Sequence, residues 1–190
     1  MKLTLKLLAP YFAIGIFWII FRNAWLSIFA YHLQIVVWNF KKLKINKFVF
    51  GRLAIGTLVT SAPAGIVVYF LLPHISKIEL NKWFDEFGIS GNSLWFLIPY
   101  FGIVHPFLEQ KHWNELRNIT FVSHLAFAGY HSMVLVTLLK KEWIYVSLAI
   151  LVSISLIWKT INKKDRTDSA SILSHILADL GIITATFLRL

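Results

Sequence analysis

The sequence contains no cysteine, which excludes disulfides, thiolate metal sites and a cysteine nucleophile. Charge is scarce as well: Asp, Glu, Lys and Arg make up 15% of the 190 residues, against about 25% in soluble domains. Carboxylates are the scarcer sign, with 9 Asp and Glu against 19 Lys and Arg. No Pro-, Gly- or Ser-rich linker, internal repeat or low-complexity tract divides the chain, so a single domain over 1–190 is expected. Dyad alternation of apolar and polar residues is also missing, which argues against a membrane β-barrel.

What fills the chain is apolar. Its hydrophobic content is 57% and its mean hydropathy +0.67, and the apolar residues are gathered into long runs. Runs of about 17 to 25 residues are long enough to cross a bilayer as helices. Seven candidates lie at roughly 5–21, 24–40, 48–72, 93–108, 118–139, 143–158 and 170–188. The expected fold is therefore all-α, a polytopic transmembrane helix bundle of six to eight spans. Only Arg22-Asn23 separates the first two runs, which form either a tight hairpin or one long bent helix. The fourth and sixth are short and extend into their flanks. The N-terminal "MKLTLKLLAPYFAIGIFWIIF" has the basic start and apolar core of a signal peptide. It lacks a small-x-small cleavage site and is expected to be a retained first span.

The excess of basic residues lies between the apolar runs, so membrane topology explains it better than an anionic partner, and no nucleic-acid partner is expected. With the N-terminus cytoplasmic, thirteen Lys and Arg fall inside and six outside, as the positive-inside rule requires. The protein is expected in a prokaryotic cell membrane, with lipid as its surroundings. Small residues concentrate only in "SAPAG", which leaves the oligomeric state open.

Ionisable groups inside spans are costly and usually face the protein interior, which makes them functional candidates. The last run, "SASILSHILADLGIITATFL", carries His175 and Asp179 four residues apart, on one helix face. The fifth, "NITFVSHLAFAGYHSMVLVTLL", carries His124 and His131. Seven residues at about 1.5 Å each separate these two by about 10 Å, too far for one small site to use both. The stretch "HPFLEQKHWNELR" follows the fourth run directly. If that helix continues, His105, Glu109 and His112 share a face, while Lys111, Glu115 and Arg117 read as solvated charges at the inner membrane boundary. A carboxylate and several imidazoles on three helices suit either general-base activation of water or a divalent metal with an open position. They also suit plain interhelical hydrogen bonding. The sequential His-Glu-x-x-His pattern of zinc proteases is absent.

In order, these residues resemble the CAAX prenyl protease and bacteriocin-processing family (CPBP, or Abi) of intramembrane endopeptidases. That family shows Glu-Glu-x-x-x-Arg, then Phe-x-x-x-His, then His-x-x-x-Asn/Asp, each on its own transmembrane helix. "EQKHWN" (Glu109 to Asn114), "FAGYH" (Phe127 to His131) and "HILAD" (His175 to Asp179) stand at these places, with Pro106 as the usual lead-in. The resemblance covers about 93–188, and it departs from the family at Gln110 and Asn114. It implies a peptide hydrolase in which Glu109 is the general base, His131 helps orient water, and His175 with Asp179 serves the oxyanion or substrate side. The substrate would be a peptide or a membrane-associated protein. No cofactor is implied in a metal-free mechanism. In the alternative, a divalent metal such as zinc is held by Glu109, His131 and His175, with His105 or His112 as further ligands. Two other readings stay open: a catalytically degenerate member acting in bacteriocin immunity or as a membrane-complex subunit, and a small proton-coupled transporter.

Overall fold

The computed structural model describes residues 2–44, 47, 49 and 51–190. Among these the chain is all-helical: α1 (Lys2–Ile20), α2 (Ala24–Asn39), α3 (Arg52–Ile75), α4 (Leu80–Glu86), α5 (93–119), α6 (Val122–Leu138), α7 (Lys141–Asp165) and α8 (Ser169–Phe187). Four of them, α1, α3, α7 and α8, are long and apolar enough to cross a membrane. Large apolar side chains such as Phe12, Ile20, Val37, Phe70 and Ile150 face outward, whereas Glu109, Gln110, Arg117 and His124 are fully buried. Apolar outside and polar inside is the arrangement a bilayer favours, because hydrocarbon cannot solvate a polar group.

The α1–α2 connection is a tight hairpin. Arg22 adopts a left-handed conformation, φ 48°, and the Asn23 side chain caps α2 by accepting from the Leu26 amide at 2.9 Å. The expected third span begins with Phe48 and Phe50, which lie outside the described residues, and α3 is helical from Arg52. A break at Ala62-Pro63 divides α3, because Pro63 has no N–H to continue the ladder.

The fourth run extends into its flank as α5, and the largest departure from expectation is the burial of its charged end at Lys111 and Arg117. Its expected span, 93–108, continues to Ile119 through a wide π turn at Tyr100–Val104. Pro106 carries no N–H, and its ring crowds the carbonyl of the residue four positions before it, Gly102. The wide turn accommodates this without ending the helix. Residues 105–117 consequently enter the bundle instead of forming a boundary loop. Lys111 and Arg117, expected at the solvated boundary, are 6% and 0% exposed. Lys111 pairs with Asp168 at 2.7 Å. Glu115 does remain near the surface, between Lys6 at 3.2 Å and Lys42 at 2.9 Å.

Helix α8 packs against α3, α5 and α7. Its crossing with α3 depends on two glycines: a Cβ at Gly65 would lie 2.7 Å from the Gly181 Cα. Small residues that admit such close backbone approach are the usual means of packing helices in lipid. At one end of the molecule, the Lys140 amide donates to the Ile75 carbonyl at 2.9 Å and the Ala24 amide to Phe87 at 3.0 Å. At the other, the Ser169 hydroxyl donates to the Lys47 carbonyl at 2.7 Å.

Candidate active site

Glu109 lies at the centre of the bundle with no exposed surface. One carboxylate oxygen, Oε1, accepts from the Tyr31 hydroxyl of α2 at 2.8 Å. The indole N–H of Trp113 donates to the Tyr31 oxygen at 3.0 Å, and the Tyr130 hydroxyl lies 3.3 Å from the same oxygen. His105 Nε2, one turn earlier on α5, is 3.6 Å from the same oxygen. The second oxygen, Oε2, faces His131 Nε2 at 3.7 Å and His175 Nε2 at 3.4 Å. It has no hydrogen-bond partner among the described residues. His175 Nε2 is also 3.3 Å from Asp179 Oδ2. His131 of α6 and His175 of α8 therefore meet at the Glu109 carboxylate of α5, and Asp179 joins them through His175.

The remaining ring nitrogens are held as well. His131 Nδ1 is 2.8 Å from the Phe127 carbonyl, which only accepts, so Nδ1 carries a proton. His105 Nδ1 is 2.9 Å from His32 Nε2, and His32 Nδ1 is 2.7 Å from the Tyr100 hydroxyl. His175 Nδ1 is 3.2 Å from Gln110 Nε2. The side chains of His131 and Asp179 are 20% and 14% exposed, whereas that of Glu109 is fully buried. The cluster opens on their side.

Other expected candidates lie elsewhere. His112 is not part of the cluster: its Nε2 reaches the Lys6 carbonyl at 3.1 Å and its Nδ1 the Asn39 amide at 3.4 Å. Three residues on a helix amount to about 4.5 Å of rise and a net offset of about 60°, and across that offset His112 meets Lys6 of α1 and Asn39 of α2. His124 bonds to Ser155 at 2.8 Å, in keeping with its expected separation from His131. Asn114 accepts from Asn162 at 2.9 Å. Gln110, next to Glu109 on α5, links His175 to the buried Arg117, which donates to Gln110 Oε1 at 2.6 Å. Sequence reasoning missed Tyr31 and His32, so the cluster is not confined to 93–188. His32 sits within an apolar run, and the rule that selected His131 selects it equally. Tyr31 gave no such signal.

A buried carboxylate flanked by two imidazoles can take a proton from water. The same atoms also meet a test for a divalent metal. Nitrogen atoms of His105 and His131 and an oxygen of Glu109 lie within 4.8 Å of one another. Each imidazole has its Nδ1 engaged and its Nε2 turned to Glu109, the orientation that outer hydrogen bonds impose on metal-binding histidines, and the Tyr130 hydroxyl also meets His131 Nε2 at 3.2 Å. No model of a known protein family matches the chain, and neither a curated protein nor a solved structure does.

Proposed function

We propose that the chain is an intramembrane, glutamate-dependent endopeptidase of the CAAX protease and bacteriocin-processing type. The observation that carries this reading is the position of Glu109, buried, with Oε2 free of hydrogen bonds from the described residues and facing His131 and His175. Glu109 takes a proton from a water that His131 helps to orient, and the resulting hydroxide attacks the carbonyl carbon of the scissile bond. His175, whose ring is fixed beside Asp179, serves the oxyanion side of the tetrahedral intermediate. Protonated Glu109 then returns its proton to the departing amine. The substrate is a membrane-associated peptide that enters from the side of His131 and Asp179, the partly exposed members of the set.

Around this site seven helices, α1 to α3 and α5 to α8, cross a prokaryotic cell membrane, with the N-terminus in the cytoplasm. The partition of basic residues supports that orientation. The test is cleavage of a membrane-anchored candidate peptide by Glu109→Ala and His131→Ala variants. Unchanged cleavage by both would sink the proposal. A protective or assembly role that survives replacement of Glu109, His131, His175 and Asp179 together would favour the binding-only alternative.

A metal-assisted form of the same reaction is favoured by the His105, Glu109 and His131 grouping. Two neutral imidazoles and a carboxylate are a zinc-type donor set. When bound, such an ion supplies Lewis acidity and lowers the pKa of its water. His105 and His131 would hold it through Nε2, Tyr31 would orient the Glu109 carboxylate, and His32 would orient His105. Zinc bound per protein, compared between wild type and His105→Ala, distinguishes this form from the metal-free one.

A further inference from the structure

Gln110 is one of the two residues at which the first motif departs from the family it resembles, and its surroundings give it a definite task. Arg117 is fully buried and has only donors. Its Nη1 lies 2.6 Å from Gln110 Oε1, so that atom is the amide oxygen and the other is the NH₂ group. The NH₂ lies 3.2 Å from His175 Nδ1. Since an amide NH₂ cannot accept, Nδ1 accepts, and the single proton of a neutral His175 sits on Nε2. Arg117 itself is anchored by Nε to the Ser155 hydroxyl at 2.8 Å. Its guanidinium also lies over the rings of Phe127 and Trp158, at 4.9 and 5.2 Å. The amide is therefore not free to turn over.

We infer that Gln110, oriented by Arg117, is a positioning residue that fixes His175 in the Nε2–H tautomer. The proton is thereby directed into the cluster, toward Glu109 Oε2 at 3.4 Å and Asp179 Oδ2 at 3.3 Å. The inference rests on the proposed hydrolase only for its use: an imidazole that meets an oxyanion must present an N–H, and this chain supplies one without charging the ring. It also removes His175 from any metal-ligand set, because its inward nitrogen carries a proton instead of a lone pair. A glutamate at 110 would instead accept from Nδ1–H, so that Nε2 keeps a proton only if the ring is charged.

The experiment is nitrogen NMR of the full chain, labelled with ¹⁵N-histidine in lipid nanodiscs, with the His175 signals assigned by loss in His175→Gln. Wild type is expected to show a protonated Nε2 and an unprotonated Nδ1 at His175. Gln110→Glu is expected to lose that pattern, and Gln110→Met, of similar length with no amide, to give a mixture of tautomers. An Nδ1–H tautomer in wild type, which needs no variant to fold, overturns the inference, as does an unchanged spectrum in folded Gln110→Glu. Cleavage is measured beside it. A misplaced imidazole proton costs about 10⁴-fold in a serine hydrolase, so Gln110→Met is expected to lose activity in proportion to the share of His175 that takes the Nδ1–H tautomer. The Nε2–H tautomer in a chain with no hydrolytic activity would leave the positioning role intact and sink the hydrolase. The Nδ1–H tautomer in an active chain would do the reverse.

Discussion

Arg117 donates to Gln110 at 2.6 Å, and neither side chain has any exposed surface. The two are seven residues apart on α5, two turns along one face. A cation this deep in an apolar bundle is costly unless its donors are used. Here Nη1 donates to Gln110 and Nε to Ser155, and the guanidinium lies over two aromatic rings, while Nη2 has no hydrogen-bond partner among the described residues. Replacing Arg117 with methionine leaves the Gln110 oxygen and the Ser155 hydroxyl without that donor. A hydrogen bond to a charged group is worth about 1.5–3 kcal/mol, so Arg117→Met is expected to lower the unfolding temperature clearly in lipid or detergent. A solvated boundary arginine would give almost no change.

The two outer histidines of α5 separate in the same manner. His105 touches Glu109 at 3.6 Å, whereas His112 is turned to Lys6 and Asn39. His105→Ala is expected to reduce cleavage about 10- to 100-fold, the usual cost of disturbing the groups that orient a site. His112→Ala should leave cleavage within a few-fold while loosening the contact between α1 and α5. Equal losses in turnover for the two variants would show that the ring at 105 has no special place.

The α3–α8 crossing holds His175 and Asp179 in position, and Gly65 sets its closeness. Gly65→Ala would place a methyl 2.7 Å from the Gly181 Cα. Overpacking of this kind costs about 1–3 kcal/mol, and thermal unfolding of the purified protein should register it together with lost activity. Gly56→Ala, whose methyl would meet nothing within 4 Å, is the control. It is expected to be neutral or stabilising by roughly 0.5–1 kcal/mol, as glycine removal from a helix interior usually is.

The absence of cysteine makes the topology directly measurable. Lys82 and Lys164 are both exposed, on α4 and α7 near opposite ends of the bundle. Lys82→Cys should react with a membrane-impermeant maleimide on intact cells, and Lys164→Cys only after permeabilisation. Reactivity in the opposite order would invert the proposed orientation.

The centre of the site was legible because it is made of residue types that lipid does not tolerate. Glu109, His131, His175 and Asp179 stand out against apolar runs, and helical spacing pairs the last two. Lys111 and Arg117 were misread for a physical reason. A cation at the end of an apolar run looks the same in sequence whether it meets water or enters the bundle, and the decision here depends on α5 continuing through its π turn past Pro106. Tyr31 was illegible because a tyrosine in an apolar helix is ordinary until its hydroxyl is seen 2.8 Å from a carboxylate. His32 was readable by the rule already applied to His131. The role of Gln110 needed the position of Arg117, which spacing alone does not give.

The most direct measurement is the rate at which purified protein in liposomes cuts a membrane-anchored peptide, compared between wild type and Glu109→Gln. The amide is nearly the same size as the carboxylate, and its oxygen can still accept from Tyr31, so the fold is expected to survive. General-base catalysis contributes typically 10²–10⁴-fold. The proposal predicts a loss of about that size with unchanged thermal unfolding. A Glu109→Gln protein that cuts at a rate within a few-fold of wild type would contradict it.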